Sequence, residues 1–168
     1  MLAIILVLLG ITLRLVPHVP NFTPVVAIAL FAGTYVNKKF APWLALALMI
    51  ISDVMIGMHN VMAFTWGSVV LISFLGIWLK SRKNMATVVG TSIVSSLLFF
   101  VVTNFGVWLM GWYPHDAQGL LNCYVMALPF LRFSLLGDLF YVTVMFGAYE
   151  FIAQRVKSTK LATVLLNK

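Results

Sequence analysis

The chain has 168 residues, of which 62% are hydrophobic and 9% charged, with a formal net charge of +7. A soluble domain is nearer half apolar and a quarter charged, and a chain of this length cannot bury so much apolar surface inside itself. Lipid is the solvent that fits the excess, and without the dyad alternation of a membrane barrel the spans read as helices.

The basic residues stand in short clusters between apolar runs, as topology signals do, and not in the stripe expected of a nucleic-acid surface. A single cysteine, Cys123, excludes an intrachain disulfide.

The first predicted helix covers residues 2–16. It lacks a basic leader and a small-residue cleavage site, so it reads as a retained helix and not a signal peptide. Residues 17–24 contain Pro17, Pro20 and Pro24 and cannot be regular helix, because proline removes donors and pushes its neighbour to extended geometry. A short second helix covers 25–36, followed by Asn37, Lys38 and Lys39. Pro42 suits the first turn of a third helix that ends near 58. His59 and Asn60 make a tight polar connection to a fourth helix over 61–79. Residues 80–84 form the plainest loop, and a fifth helix runs over 85–112 until Tyr113, Pro114, His115 and Asp116 break it. A mixed stretch, 119–133, contains Pro129. The last helix covers 134–156 and leads into a basic tail. The expected fold is a single all-α domain over 1–168 with about six transmembrane helices.

Charge gives a separate test of that count. Lys38 and Lys39, then Lys80, Arg82 and Lys83, then Arg155, Lys157, Lys160 and Lys168 fall on alternate connections. Six crossings put these on one side, which the positive-inside rule makes cytoplasmic, with both termini there. Arg14 and Arg132 are the exceptions, near the outer face.

The outer connections collect His18, His59 and His115, together with Asn21, Thr23, Asp116, Gln118, Asn122 and Cys123, while Trp66, Trp108, Trp112, Tyr113 and Tyr124 lie close by. This reads either as ordinary polar loops with interfacial aromatics or as an outward cavity with a few polar anchors. The inner connections carry lysine and arginine without histidine, which favours the cavity. Its expected lining or bracing residues are Arg14, His18, Asn21, Asp53, His59, Trp112, His115 and Cys123.

Asp53 and Asp138 sit inside apolar runs, where a carboxylate costs several kcal/mol unless it is paired or wet. Structural ion pairs with Arg14 and Arg132 are one reading; a ligand contact and a proton or cation relay are the others. Glu150, nearer the inner end, is expected to snorkel or to pair with Lys157 or Arg155. The histidines lack a ligand-type spacing, so no metal or other cofactor is assigned. Cys123 in an apolar setting is a packing residue or a reactive one. Two small-residue pairs at spacing four, Ala29 with Gly33 and Ala41 with Ala45, suit close helix packing within the chain or a docking face for another membrane subunit. Phosphate loops, nucleotide fingerprints and zinc-protease motifs are lacking.

The run from Arg14 to Pro24, with Ala27 to Gly33 after it, resembles a family of uncharacterised bacterial membrane proteins. The likeness continues through Ser52-Asp53, Cys123-Tyr124, Pro129-Phe130 and Gly137-Asp138, nearly the whole chain. That family is similar to the substrate-binding S components of energy-coupling factor (ECF) transporters. The resemblance implies a multi-pass protein of the bacterial cytoplasmic membrane that is not an enzyme. It would bind a vitamin-like micronutrient near the outer face and work with a transmembrane coupling subunit and its ATPases, or alone. S components usually dock through small residues on their first helices, whereas the small pairs here lie on helices two and three. Cobalt accepts both thiolate and imidazole, which makes a corrinoid one candidate ligand. The other classes considered are an intramembrane enzyme using His18, His59, His115 and Asp53, with or without a metal, and a structural assembly subunit.

Overall fold

The computed structural model describes residues 1–16, 19–159 and 161–166. They form α1 (Leu2–Leu15), α2 (Val25–Tyr35), α3 (Ala41–Ile56), α4 (Met62–Leu79), α5 (Met85–Val107), α6 (Ala117–Val156) and a short α7 (Leu161–Leu165). A π-helical segment, Trp108–Trp112, ends α5. The protein is all-α. Three of its helical segments are long and apolar enough to cross a membrane: α4, α5 with its π-helical end, and α6. α1, α2 and α3 are apolar but shorter.

α2 explains how a short helix is useful here. Ten of its eleven residues, Val25 to Thr34, are buried, and it packs against α1, α3, α4, α5 and α6. A helix apolar all round belongs in a core. Enclosed by its neighbours, α2 does not need to match the thickness of a bilayer. Its contact with α4 is unusually close. A Cβ on Gly33 would stand 2.1 Å from the Ser73 carbonyl oxygen, and one on Gly76 2.3 Å from that of Leu30. The Thr34 hydroxyl reaches across to the Gly76 carbonyl at 3.1 Å. Ala29 and Gly33 are therefore spent on packing within the chain. So are Ala41 and Ala45, which are buried as well.

The residues between Pro20 and Pro24 stay irregular and dip into the bundle. Asn21 takes a left-handed conformation (φ 64°), which asparagine tolerates better than most residues. Phe22 packs against Gly137, Phe140 and Tyr141 of α6. Irregular backbone at such depth is tolerated where protein or a cavity surrounds it.

α5 starts on a capping box, with the Asn84 side chain accepting from the Thr87 N–H and the Thr87 hydroxyl from the Asn84 N–H, each at 2.9 Å. α6 corrects an expectation. Residues 119–133 are helical, and α6 runs unbroken through Pro129 for 40 residues, about 60 Å at 1.5 Å per residue. Its first third is anchored to α5: the Tyr124 hydroxyl donates to the Val101 carbonyl (2.7 Å) and Cys123 Sγ to the Asn104 carbonyl (3.3 Å). The helix carries the proline and does not break.

One end of the bundle is basic. The N-terminal amine donates to the Leu165 carbonyl (3.2 Å), and Met1, Tyr35, Asn37, Tyr149 and Leu165 border one recess. Beside them Lys83 and the Tyr35 hydroxyl both bond the Glu150 carboxylate. Glu150 thus pairs across to the start of α5, not with Arg155 or Lys157 on its own helix. Arg155 lies over the Phe151 ring instead (5.2 Å).

Candidate functional site

At the opposite end lies a cavity of about 360 Å³. Its walls come from segments far apart in the chain, between Arg14 and Ser134. Arg14 projects from the last turn of α1; Asn21, Thr23 and Val25 come from the dipping segment and the start of α2; His59 and Thr65 flank the α3–α4 connection. The α5 wall holds Ser96, Phe99, Phe100, Thr103 and Asn104, and the α6 wall Phe130, Leu131 and Ser134.

Arg14 is the best-fixed group. One terminal nitrogen bonds Asp53 Oδ1 at 2.6 Å and the other bonds the Ser52 hydroxyl. The second oxygen of Asp53 accepts from the Trp66 indole N–H at 2.7 Å. Asp53 itself is 1% exposed and stands behind the guanidinium, outside the cavity wall. Arginine suits this position because its planar fork can satisfy a buried carboxylate and still present N–H groups elsewhere. The pair leaves the Arg14 side of the cavity electrically balanced.

Two hydroxyls and one amide of the α4 and α5 wall are tied back to their own helices. Thr65 donates to the Val61 carbonyl (3.2 Å), Thr103 to Phe99 (2.7 Å) and the Asn104 amide N–H to Phe100 (2.8 Å), all one helical turn back. Such back-bonding spends the hydroxyl hydrogen within the helix and leaves oxygen lone pairs free. Hydrogen-bond donors of the lining come from Arg14, the Asn21 amide, the second N–H of Asn104 and the Thr23 hydroxyl, with the His59 ring able to give or accept.

Asp138 presents a different picture from Asp53. It is 4% exposed and does not pair with Arg132, whose guanidinium lies over the Phe133 ring (4.7 Å). Its partner is the Ser96 hydroxyl, at 2.6 Å from Oδ2. The helical phase is the reason: with 119–133 helical, Arg132 sits six residues before Asp138, on the other side of α6. Ser96 lines the cavity, and Asp138 lies directly behind it.

Of the remaining sequence candidates, Cys123 is buried against Asn104 and does not line the cavity. His115 ties the end of α5, its Nε2 lying 3.0 and 3.2 Å from the Trp108 and Leu109 carbonyls. Asp116 caps α6 by accepting from the Gly119 N–H (2.6 Å). Trp112, 70% exposed, stands at the tip of the same α5–α6 hairpin. His18 lies outside the described residues. No group of three or more histidine, cysteine or carboxylate side chains gathers among the described residues.

Residues 1–161, nearly the whole chain, match the model of a protein family. The chain belongs to the DUF6580 family, a family of unknown function. Neither a curated protein nor a solved structure matches this DUF6580 chain.

The α5 wall was missed at the level of sequence, although a signal existed. Ser92, Ser96, Phe99 and Thr103 recur every three or four residues, so they share one face of a helix whose hydroxyls and amide are unusual in so apolar a chain. Ser134 follows Phe130 at spacing four on α6 in the same way.

Proposed function

We propose that this protein is a multi-pass membrane protein that binds a small organic micronutrient in the cavity behind Arg14, on the side facing away from the basic end, and carries it across the membrane. In this reading the six longest helices cross the bacterial cytoplasmic membrane and both termini are cytoplasmic. The protein then resembles an S component of an ECF transporter in role, served by a coupling subunit with ATPases or acting alone.

The observation that carries the proposal is the make-up of the cavity. A guanidinium held by its own buried carboxylate faces a wall of phenylalanine rings and hydroxyl acceptors in about 360 Å³. Sites for small organic ligands have this volume and this pattern of apolar walls with a few fixed polar groups. Because Asp53 already balances Arg14, the cavity suits an uncharged or zwitterionic ligand with both donors and acceptors and one or two flat rings. Its size and the withdrawn positions of Cys123 and His115 favour such a molecule over a corrinoid. Aromatic residues at both ends support the membrane placement: Trp43 and Trp78 near the basic end and Trp112 at the other are all well exposed.

The test is native mass spectrometry of the purified protein for a co-purified small molecule, with thermal-shift measurements across a panel of water-soluble vitamins. One panel member should raise the unfolding temperature. Asn104→Leu should weaken its binding by about tenfold, since stranding a buried polar partner costs about 1–3 kcal/mol. A ligand-free protein unmoved by the whole panel refutes the proposal.

A further inference from the structure

The chain has four carboxylate side chains. Asp53 has Arg14 and the Trp66 N–H, Glu150 has Lys83 and the Tyr35 hydroxyl, and Asp116 has the Gly119 backbone N–H. Asp138 has one serine hydroxyl. Among the described residues no cation forms an ion pair with it. An ionised carboxylate this deeply buried, with a single neutral donor, would be costly.

Hydrogen counting resolves the difficulty. Ser96 Oγ lies 2.6 Å from Asp138 Oδ2 and 3.0 Å from the Ser92 carbonyl oxygen. A serine hydroxyl has one hydrogen and two acceptor sites. Both contacts can be full two-centre hydrogen bonds together only if Asp138 brings a hydrogen of its own. The acid O–H then donates to Ser96 Oγ, and the Ser96 O–H donates to the Ser92 carbonyl. If Asp138 is ionised, the one Ser96 hydrogen is split between the two acceptors or turns to Asp138, and the Ser92 contact is weakened or lost.

We propose that Asp138 and Ser96 form a buried proton site at the floor of the cavity, in which Asp138 holds a transferable proton and Ser96 connects it to whatever occupies the cavity. Ser96 is the connection because it touches Asp138 on one side and lines the cavity on the other. A cavity occupant that takes the Ser96 hydrogen or bonds its oxygen alters the partner available to the acid, so occupancy and protonation become linked. The link to an occupant rests on the binding role proposed above; the proton site does not.

Among the described residues, the surroundings leave this proton to Asp138 alone. α5 has no titratable side chain. Arg14, the one charged side chain of α1, is engaged by Asp53, and Tyr35, the one titratable side chain of α2, by Glu150. On α6 itself the nearest titratable groups are Tyr141, packed on Phe22, and Arg132, over Phe133. His59, from the α3–α4 connection, shares the cavity wall.

Infrared difference spectroscopy of the full chain in phosphatidylcholine nanodiscs tests the site without any ligand, so a failed vitamin panel and a failed proton site are separate results. At neutral pH the expected spectrum contains the C=O stretch of a protonated carboxylic acid, shifted to lower wavenumber in D2O. Asp138→Asn should lose the band. Ser96→Ala should keep it but move it to higher wavenumber, because the acid loses its acceptor; this second variant decides the matter if the first does not fold. The proposal is overturned by a wild-type spectrum without the band, by a band that survives Asp138→Asn, or by one unchanged in Ser96→Ala. A band abolished by NaCl but not by KCl would also overturn it, and would make Asp138 a sodium ligand.

Discussion

The Arg14–Asp53 pair sets a sharp energetic test. Both side chains are largely withdrawn from solvent, with 12% and 2% of their area exposed. Removing one member strands the other as a buried charge, which typically costs about 3–5 kcal/mol, whereas replacing both with apolar residues can be near neutral. Arg14→Met and Asp53→Leu should therefore each lower the unfolding temperature of the detergent-solubilised protein strongly, and the double variant should recover most of the loss. Equal and additive losses would show that the pair is not coupled. The residue types were legible before the geometry: an arginine that breaks the charge pattern and an aspartate in an apolar run invite each other. The same logic assigned Arg132 to Asp138 and failed there, because it took residues 119–133 as mixed structure. One proline made the stretch read as a break, whereas α6 carries it within a continuous helix held to α5 by Tyr124 and Cys123. His115 and Trp112 misled in a related way. Polar and aromatic residues near a break can serve the break itself, as His115 does by meeting the two carbonyls at the end of α5.

Among the elements, the α2–α4 crossing is the one that tolerates least. Periodicity cannot find a helix such as α2, which has no polar face; the prolines before it and the lysines after it marked its limits. Its partner was hidden, because Gly76 stands alone in an apolar run and carries meaning only opposite Gly33. At both glycines an added Cβ would meet backbone atoms, which cannot rotate away as a side chain can. Overpacking of this kind usually costs about 1–3 kcal/mol, and here it falls at or beyond the upper end. Gly76→Val should lower the yield of folded protein and its unfolding temperature, and Gly33→Val likewise. Gly67→Ala, on the same helix α4, meets nothing within 4 Å and serves as the control; removing a helical glycine there should stabilise by up to about 1 kcal/mol. If all three behave alike, the close crossing is not what holds α2 in place.

For the whole molecule, charge and geometry divide the chain into the same two ends. Lys83, Glu150, the N-terminal amine and α7 gather at one, and the cavity opens between elements at the other. The sequence reached that division through parity alone, since alternate connections hold the basic clusters. The polar outer connections pointed to a cavity at that end, but not to its α5 and α6 walls, nor to the proline-rich segment folding inward beside Gly137. The topology is open to direct measurement because Cys123 is the single cysteine and is buried. In a Cys123→Ser background, cysteines placed singly at Lys39, Arg82, Asn60 and Trp112 report their side through a membrane-impermeant maleimide applied to intact cells. Asn60 and Trp112 should react from outside. Lys39 and Arg82 should react only after the membrane is opened, because moving several lysines and arginines to the outer face opposes the positive-inside bias. Labelling of all four from one side would mean that α3–α4 and α5–α6 do not cross as hairpins, and the cavity would then lose its access from outside.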